Sequence, residues 1–134
     1  MTSDELYNAA LKRLAATPIQ RLTEADSTAT LDNPLCGDRV TIDLRLKDGR
    51  IAEIGGAVRG CLLCQAATTA LAQMAIGRTG AEAERLATDT AAILSGTEPP
   101  PPLLEPFLPV RPFRSRHTCV QLPFQALTKA LKPA

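Results

Sequence analysis

The chain has 134 residues, 15 Lys plus Arg against 14 Asp plus Glu, a formal net charge of +1 and a single histidine. That length supports one well-cored domain, the balanced charge gives no global field for nucleic acid or an anionic membrane, and one histidine excludes a multi-histidine site. With 45% apolar and 22% charged residues the composition is globular, and with Tyr7, Phe107, Phe113 and Phe124 as its only aromatics the core must be built from Leu, Ile, Val and Ala.

Capping-box spacing at Thr2 and Glu5, with Leu6, Ala10, Leu11 and Leu14 at helical intervals, predicts a first helix from Ser3 to Ala16, stopped by Pro18. The acids Asp4 and Glu5 and the lack of an unbroken apolar run make Met1 to Leu14 unlike a secretory signal, and no stretch approaches the roughly 18 apolar residues of a membrane span. The expectation is a cytoplasmic protein whose reduced cysteines serve as ligands or reactive thiols, not as a disulfide framework. From Ile19 to Leu35 the chain is polar and unperiodic and reads as a loop, with a turn at Asn33-Pro34.

Val40, Ile42, Leu44 and Leu46 alternate with Thr41, Asp43 and Arg45, which predicts a half-buried strand. Lys47-Asp48-Gly49-Arg50 has turn chemistry, so Ile51 to Val58 should return antiparallel, with a bulge or break at Gly55-Gly56. Gly60-Cys61 then opens a second helix, carrying Leu63, Ala67, Ala70, Leu71 and Met74 and ending near Gly77. Thr79 and Glu82 cap a third, which ends near Gly96. Seven of the 11 prolines fall between Pro99 and Pro112, predicting a stiff, extended loop over about 97–115. His117 to Leu131 closes the chain as a helix in which Pro123 either makes a kink or starts a new helix.

Three blocks could carry chemistry. Cys36-Gly37-Asp38 sets a thiol and a carboxylate two residues apart around a permissive glycine. Cys61-Leu62-Leu63-Cys64 places a CxxC at a helix start, where unpaired N–H groups favour thiolate; Cys61 is the functional candidate and Cys64 the better fit to a buried packing thiol. Arg116-His117-Thr118-Cys119 puts a cysteine at a predicted helix start, in the positive field of Arg111, Arg114, Arg116 and His117. Cys36, Asp38, Cys61 and Cys119 thus sit at three element junctions, and three soft thiolates with one carboxylate suit zinc or an iron–sulfur cluster. A thiol–disulfide pair at Cys61 and Cys64 is the alternative, disfavoured because the motif follows an antiparallel hairpin and not a parallel strand.

The blocks Asn33-Pro34-Leu35-Cys36-Gly37-Asp38, Gly60-Cys61 with its Ala-rich helix, and Arg116-x-x-Cys119-x-x-Leu122-Pro123-Phe124-x-Ala126-Leu127 resemble the NifU-like/IscU/SufU family of iron–sulfur cluster assembly scaffolds over nearly the whole chain. The resemblance implies a single α+β domain over residues 1–134, a small antiparallel sheet of about three strands packed against four to five helices in the SufE/NifU-like manner. It implies that Cys36, Cys61 and Cys119 are the family's three cysteines and Asp38 its assisting carboxylate, together holding a transient iron–sulfur cluster or zinc. A cysteine desulfurase would supply sulfur, with Cys119 the candidate acceptor, and acceptor proteins would receive the product. The alternative is a SufU-like, zinc-bound sulfurtransferase partner of the desulfurase. Thr118 stands where the IscU branch has a histidine directly before the last cysteine, and Arg116 with Leu122 to Leu127 is more similar to the SufU branch.

Overall fold

Asp48 and Gly49 take positive φ, 55° and 76°, the backbone that lets a two-residue turn follow the twist of its flanking strands. The turn folds β2 (Asp38–Lys47) onto β3 (Arg50–Arg59), antiparallel from Arg39 opposite Arg59 to Lys47 opposite Arg50. β1 (Ser27–Asn33) lies antiparallel along the other edge of β2, giving the order β1-β2-β3. The computed structural model describes residues 8–35 and 37–132.

β1 corrects the expectation of a loop from Ile19 to Leu35. Its inward positions are Ala29, Leu31 and Asn33, while Thr28, Thr30 and Asp32 face out. The alternation is present, but small and polar residues carry it in place of the Val and Ile that mark β2.

Two details of the hairpin also differ from expectation. The pairing slips between Arg45 and Leu46 and not at Gly55-Gly56, and beyond the slip Leu46 leaves the core, 45% exposed. The ladder runs unbroken through Gly55 and Gly56, and residues 20–22 cross the sheet there. Gly56 N–H donates to the Gln20 carbonyl at 2.9 Å, and a Cβ on Gly55 would overlap that same carbonyl. The crossing strap also buries Asp43, which alternation assigned to the outer face. Its carboxylate accepts from Arg21 Nε at 2.6 Å, Thr28 Oγ1 at 2.7 Å and Leu22 N–H at 3.1 Å. Burial works against ionisation of Asp43, but these donors together outweigh it and hold the carboxyl below its ordinary value.

α1 (Ala9–Ala15) is capped by Asn8, which is extended and accepts from Leu11 N–H at 3.0 Å, so the predicted helix is not continuous through Asn8. Thr2 and Glu5, the expected cap, lie outside the described residues. α2 (Leu62–Ala75) and α3 (Gly80–Ser95) fall where expected, α3 with a complete Thr79/Glu82 capping box and a left-handed Gly96 at its end.

The proline-rich segment is not the extended loop predicted. Pro102–Val110 forms a 3₁₀ helix that buries Leu104, Phe107 and Val110. That three-residue spacing is the repeat of a 3₁₀ helix, so one apolar stripe faces the core. α4 (Arg114–Leu131) begins earlier than predicted and runs through Pro123. Pro123 removes the N–H that would pair with the Cys119 carbonyl, a change that costs about 3 kcal/mol in a helix interior. The helix persists because it packs on β1, β2, α2 and α3, fully burying Val120, Phe124 and Leu127, each worth about 1.5–3 kcal/mol.

Candidate metal centre

The β1–β2 connection is shaped by its own side chains. Asn33, 7% exposed, accepts from Leu35 N–H at 3.1 Å through Oδ1 and donates from Nδ2 to Thr118 Oγ1 at 3.1 Å. The turn is thereby tied to the start of α4. Gly37 follows with φ 75°, its N–H donating to the Asn33 carbonyl at 2.8 Å. Cys36 lies outside the described residues.

Asp38 is the first residue of β2 and is buried, 3% exposed. Its Oδ1 accepts from the Cys61 backbone N–H at 3.1 Å, and its Oδ2 faces Cys61 Sγ at 3.5 Å. The approach depends on Gly60, where a Cβ would come within 2.5 Å of Asp38 Oδ1 and 2.7 Å of its Cγ. Cys61 is the N-cap of α2 and is half-buried. Cys119 comes in from α4, 2% exposed.

Ligand atoms of Asp38, Cys61 and Cys119 all lie within 4.8 Å of one another. With metal–sulfur bonds of about 2.3 Å, tetrahedral ligands sit about 3.8 Å apart, so a modest contraction closes the three around one ion. No other group of three or more His, Cys, Asp or Glu side chains meets that test among the described residues. The donor set of two thiols and one carboxylate suits zinc or iron and not magnesium or calcium. Burial pushes the Cys61 thiol up and the Asp38 charge pushes it further, while the Cys64 backbone N–H and the Cys119 side chain pull it back only in part. The direction is opposite to the thiolate expected at a helix start, so a metal that binds the Cys61 thiolate does so in competition with its proton.

The structure also places the other residues singled out from the sequence. Arg111 is fixed on backbone carbonyls: its Nε donates to the Ile93 carbonyl at 2.7 Å and its Nη2 to the Glu98 carbonyl at 3.1 Å, satisfying the C-terminal end of α3 and the chain beyond it. His117 is not in the ligand group; its Nε2 lies 3.0 Å from the Arg111 carbonyl and 3.2 Å from that of Val110. Because α4 begins at Arg114, Cys119 sits inside the helix and not, as the sequence predicts, at its start. Cys64 is wholly buried in the first turn of α2. Asn33 went unrecognised as the residue that joins the ligand turn to α4; its Asn-Pro context signalled only a turn.

The fold and site define an α+β domain that gathers thiols and a carboxylate at one end of a three-stranded antiparallel sheet. The family model for the NifU-like N-terminal domain matches residues 17–105, more than half of the chain, and the chain belongs to that family. It is 35% identical over 81 residues to an Archaeoglobus fulgidus protein named iron–sulfur cluster assembly scaffold protein IscU 1, the match covering 60% of this chain and 53% of that protein. It is 29% identical over 106 residues to the Streptococcus pyogenes iron–sulfur cluster assembly scaffold protein IscU, covering 76% and 67%. The chain thus spans about half the length of the first relative. Among solved structures it is similar to the N-terminal NifU-like protein of Brucella abortus, with TM-score 0.87, 30% identity and coverage of 96% and 94%. It is also similar to a Fervidobacterium islandicum protein named for iron–sulfur cluster assembly in the SUF system, with TM-score 0.87, 25% identity and coverage of 98% and 100%. No described helix is long and apolar enough to cross a membrane.

Proposed function

We propose that the protein is an iron–sulfur cluster assembly scaffold: it takes up sulfur supplied by a cysteine desulfurase, holds iron or a nascent cluster, and passes it to acceptor proteins in the cytoplasm. The observation that carries this reading is the convergence of Asp38, Cys61 and Cys119 ligand atoms within 4.8 Å. Cys36, three residues past the Asn33 that is tied to α4, is the proposed fourth ligand. Cluster and iron are cargo here, so a carboxylate among thiolates makes chemical sense. The harder oxygen donor holds soft iron–sulfur species less firmly than a fourth thiolate would and leaves one position open to exchange.

Within this set Cys119 is the proposed sulfur acceptor. Delivery to a thiol only 2% exposed requires local opening around Cys119. Rapid alkylation and peptide mapping at the earliest times of sulfur transfer should find the added sulfur on Cys119 in wild type and not in Cys119→Ser; an unchanged early label in that variant overturns the assignment. For the scaffold itself, anaerobic reconstitution with desulfurase, cysteine and ferrous iron should give cluster absorbance that Asp38→Ala loses or holds about 10- to 100-fold more weakly. No absorbance in wild type, or none lost in the variant, contradicts it.

A second reading is favoured by the likeness to the SUF-system protein over 98% of this chain. Here the same residues hold zinc, which would keep the thiols deprotonated near neutral pH, and sulfur is relayed without cluster assembly on this protein. Metal content after anaerobic purification, zinc or iron with sulfide, separates the two.

A further inference from the structure

Cys64 is outside the proposed ligand set, yet it is wholly buried one helical turn from Cys61. Cys61 is the N-cap of α2, at φ −69° and ψ 167°, and Cys64 is the third residue of the helix. Helix rise and radius place such Cα atoms about 5 Å apart, within the span of a disulfide. The extended backbone frees the Cβ of Cys61 from the helical direction, and its sulfur lies over the first turn, where the Cys64 backbone N–H interacts with it. The pair is layered: Cys61 is half-buried and open to delivered sulfur, while Cys64 is shielded behind it.

A desulfurase delivers sulfur as a persulfide, whereas a cluster is built from sulfide, so each delivered atom needs two electrons. Resting on the reading that this site takes up sulfur, we propose that Cys64 is a resolving thiol that reduces a Cys61 persulfide and releases its outer sulfur as sulfide. Sulfur received at Cys119 can reach Cys61 by transfer between neighbouring thiols, since both belong to the group whose ligand atoms lie within 4.8 Å.

In the step, the Cys64 sulfur attacks the inner sulfur of the persulfide on Cys61. The persulfide S–S bond breaks, the outer sulfur leaves with the electron pair, and it carries the proton given up by Cys64 as HS⁻. A Cys61–Cys64 disulfide forms. Counting the delivered atom as zero-valent, it gains two electrons, one from each cysteine sulfur, so this step consumes no external reductant. A dithiol reductant then restores both thiols.

The test uses anaerobically reduced protein and glutathione persulfide as the sulfur donor, comparing wild type with Cys64→Ala and Cys64→Ser. Wild type should release about one sulfide per chain and show a Cys61–Cys64 disulfide by alkylation and peptide mass mapping. Both variants should keep the extra sulfur on Cys61 and release sulfide at least about tenfold more slowly, because an intramolecular attack has been lost. Variants that carry the persulfide but release sulfide at the wild-type rate overturn this proposal alone. Failure of wild type and variants alike to take up sulfur overturns the sulfur-uptake reading and this step with it.

Discussion

Helices α2 and α3 begin on almost identical backbones and close their first turns in opposite ways. Cys61 caps α2 at φ −69°, ψ 167°, and Thr79 caps α3 at φ −72°, ψ 166°. At α3 the closure is local and complete: Thr79 Oγ1 accepts from Glu82 N–H at 3.2 Å, and Glu82 Oε1 accepts from Thr79 N–H at 2.9 Å. At α2 the cap side chain is a thiol, a weak acceptor with which the Cys64 backbone N–H interacts, and it has no counterpart of the Glu82 carboxylate. The carboxylate that takes the Cys61 N–H belongs to Asp38, 23 residues earlier in the chain. A cap made from within stabilises one helix, whereas a cap borrowed from β2 holds two chain segments together and leaves a thiol facing a carboxylate. The same backbone feature is structural at one end of the sheet and chemical at the other.

Perturbing the two ends, and the second buried aspartate of β2, should separate stability from metal binding. The largest stability loss is expected from Asp43→Asn, which removes a buried charge bonded to Arg21, Thr28 and Leu22. Urea unfolding at pH 7 should show a loss of about 2 kcal/mol with the metal site intact, the scale of hydrogen bonds to a charged group. The pH dependence has a definite sign. The native carboxyl is held below its ordinary value, so its contribution is complete above a pH of about 4 and is lost as pH falls through the lowered native value. Wild type and variant should therefore converge in acid; a constant gap down to pH 2 contradicts the assignment.

Next in size is Gly60→Ala, whose methyl would force Asp38 away from Cys61. Competition with a colorimetric chelator should show metal affinity weakened about tenfold, or about 1.4 kcal/mol, with little change in fold. Thr79→Ala, at the structural end, should cost about 1 kcal/mol of stability and leave metal affinity unchanged. The smallest stability effect is expected from Cys61→Ser, which gives α2 a better cap. The metal-free protein should gain about 0.5 kcal/mol in urea unfolding while losing its metal site, and a clear destabilisation would undo the idea that the α2 cap gives up stability for chemistry.

How far the sequence discloses this arrangement follows from which signals are local. The Asp48-Gly49 turn, the Thr79/Glu82 box and the apolar periodicity of α2 are short-range, and the structure reproduces them. β1 escaped because Ala29 and Asn33 fill inward positions with no hydrophobic signature, and the 3₁₀ helix because its prolines mask a three-residue apolar stripe at Leu104, Phe107 and Val110. The burial of Asp43 was hidden because its partner Arg21 lies 22 residues away. Asp38 and Cys61 are legible as donors at element junctions, and Cys119 as a donor although it sits inside α4. Their convergence, and the clamp from Asn33 to Thr118, depend on long-range packing of α4 that no local pattern encodes.

X-ray absorption at the iron edge of anaerobically reconstituted protein tests the central claim most directly, with Asp38→Ala as the comparison. The account predicts a sulfur-dominated shell with an oxygen contribution that disappears in the variant. A shell of oxygen and nitrogen only, or one unchanged by removing Asp38, would contradict it.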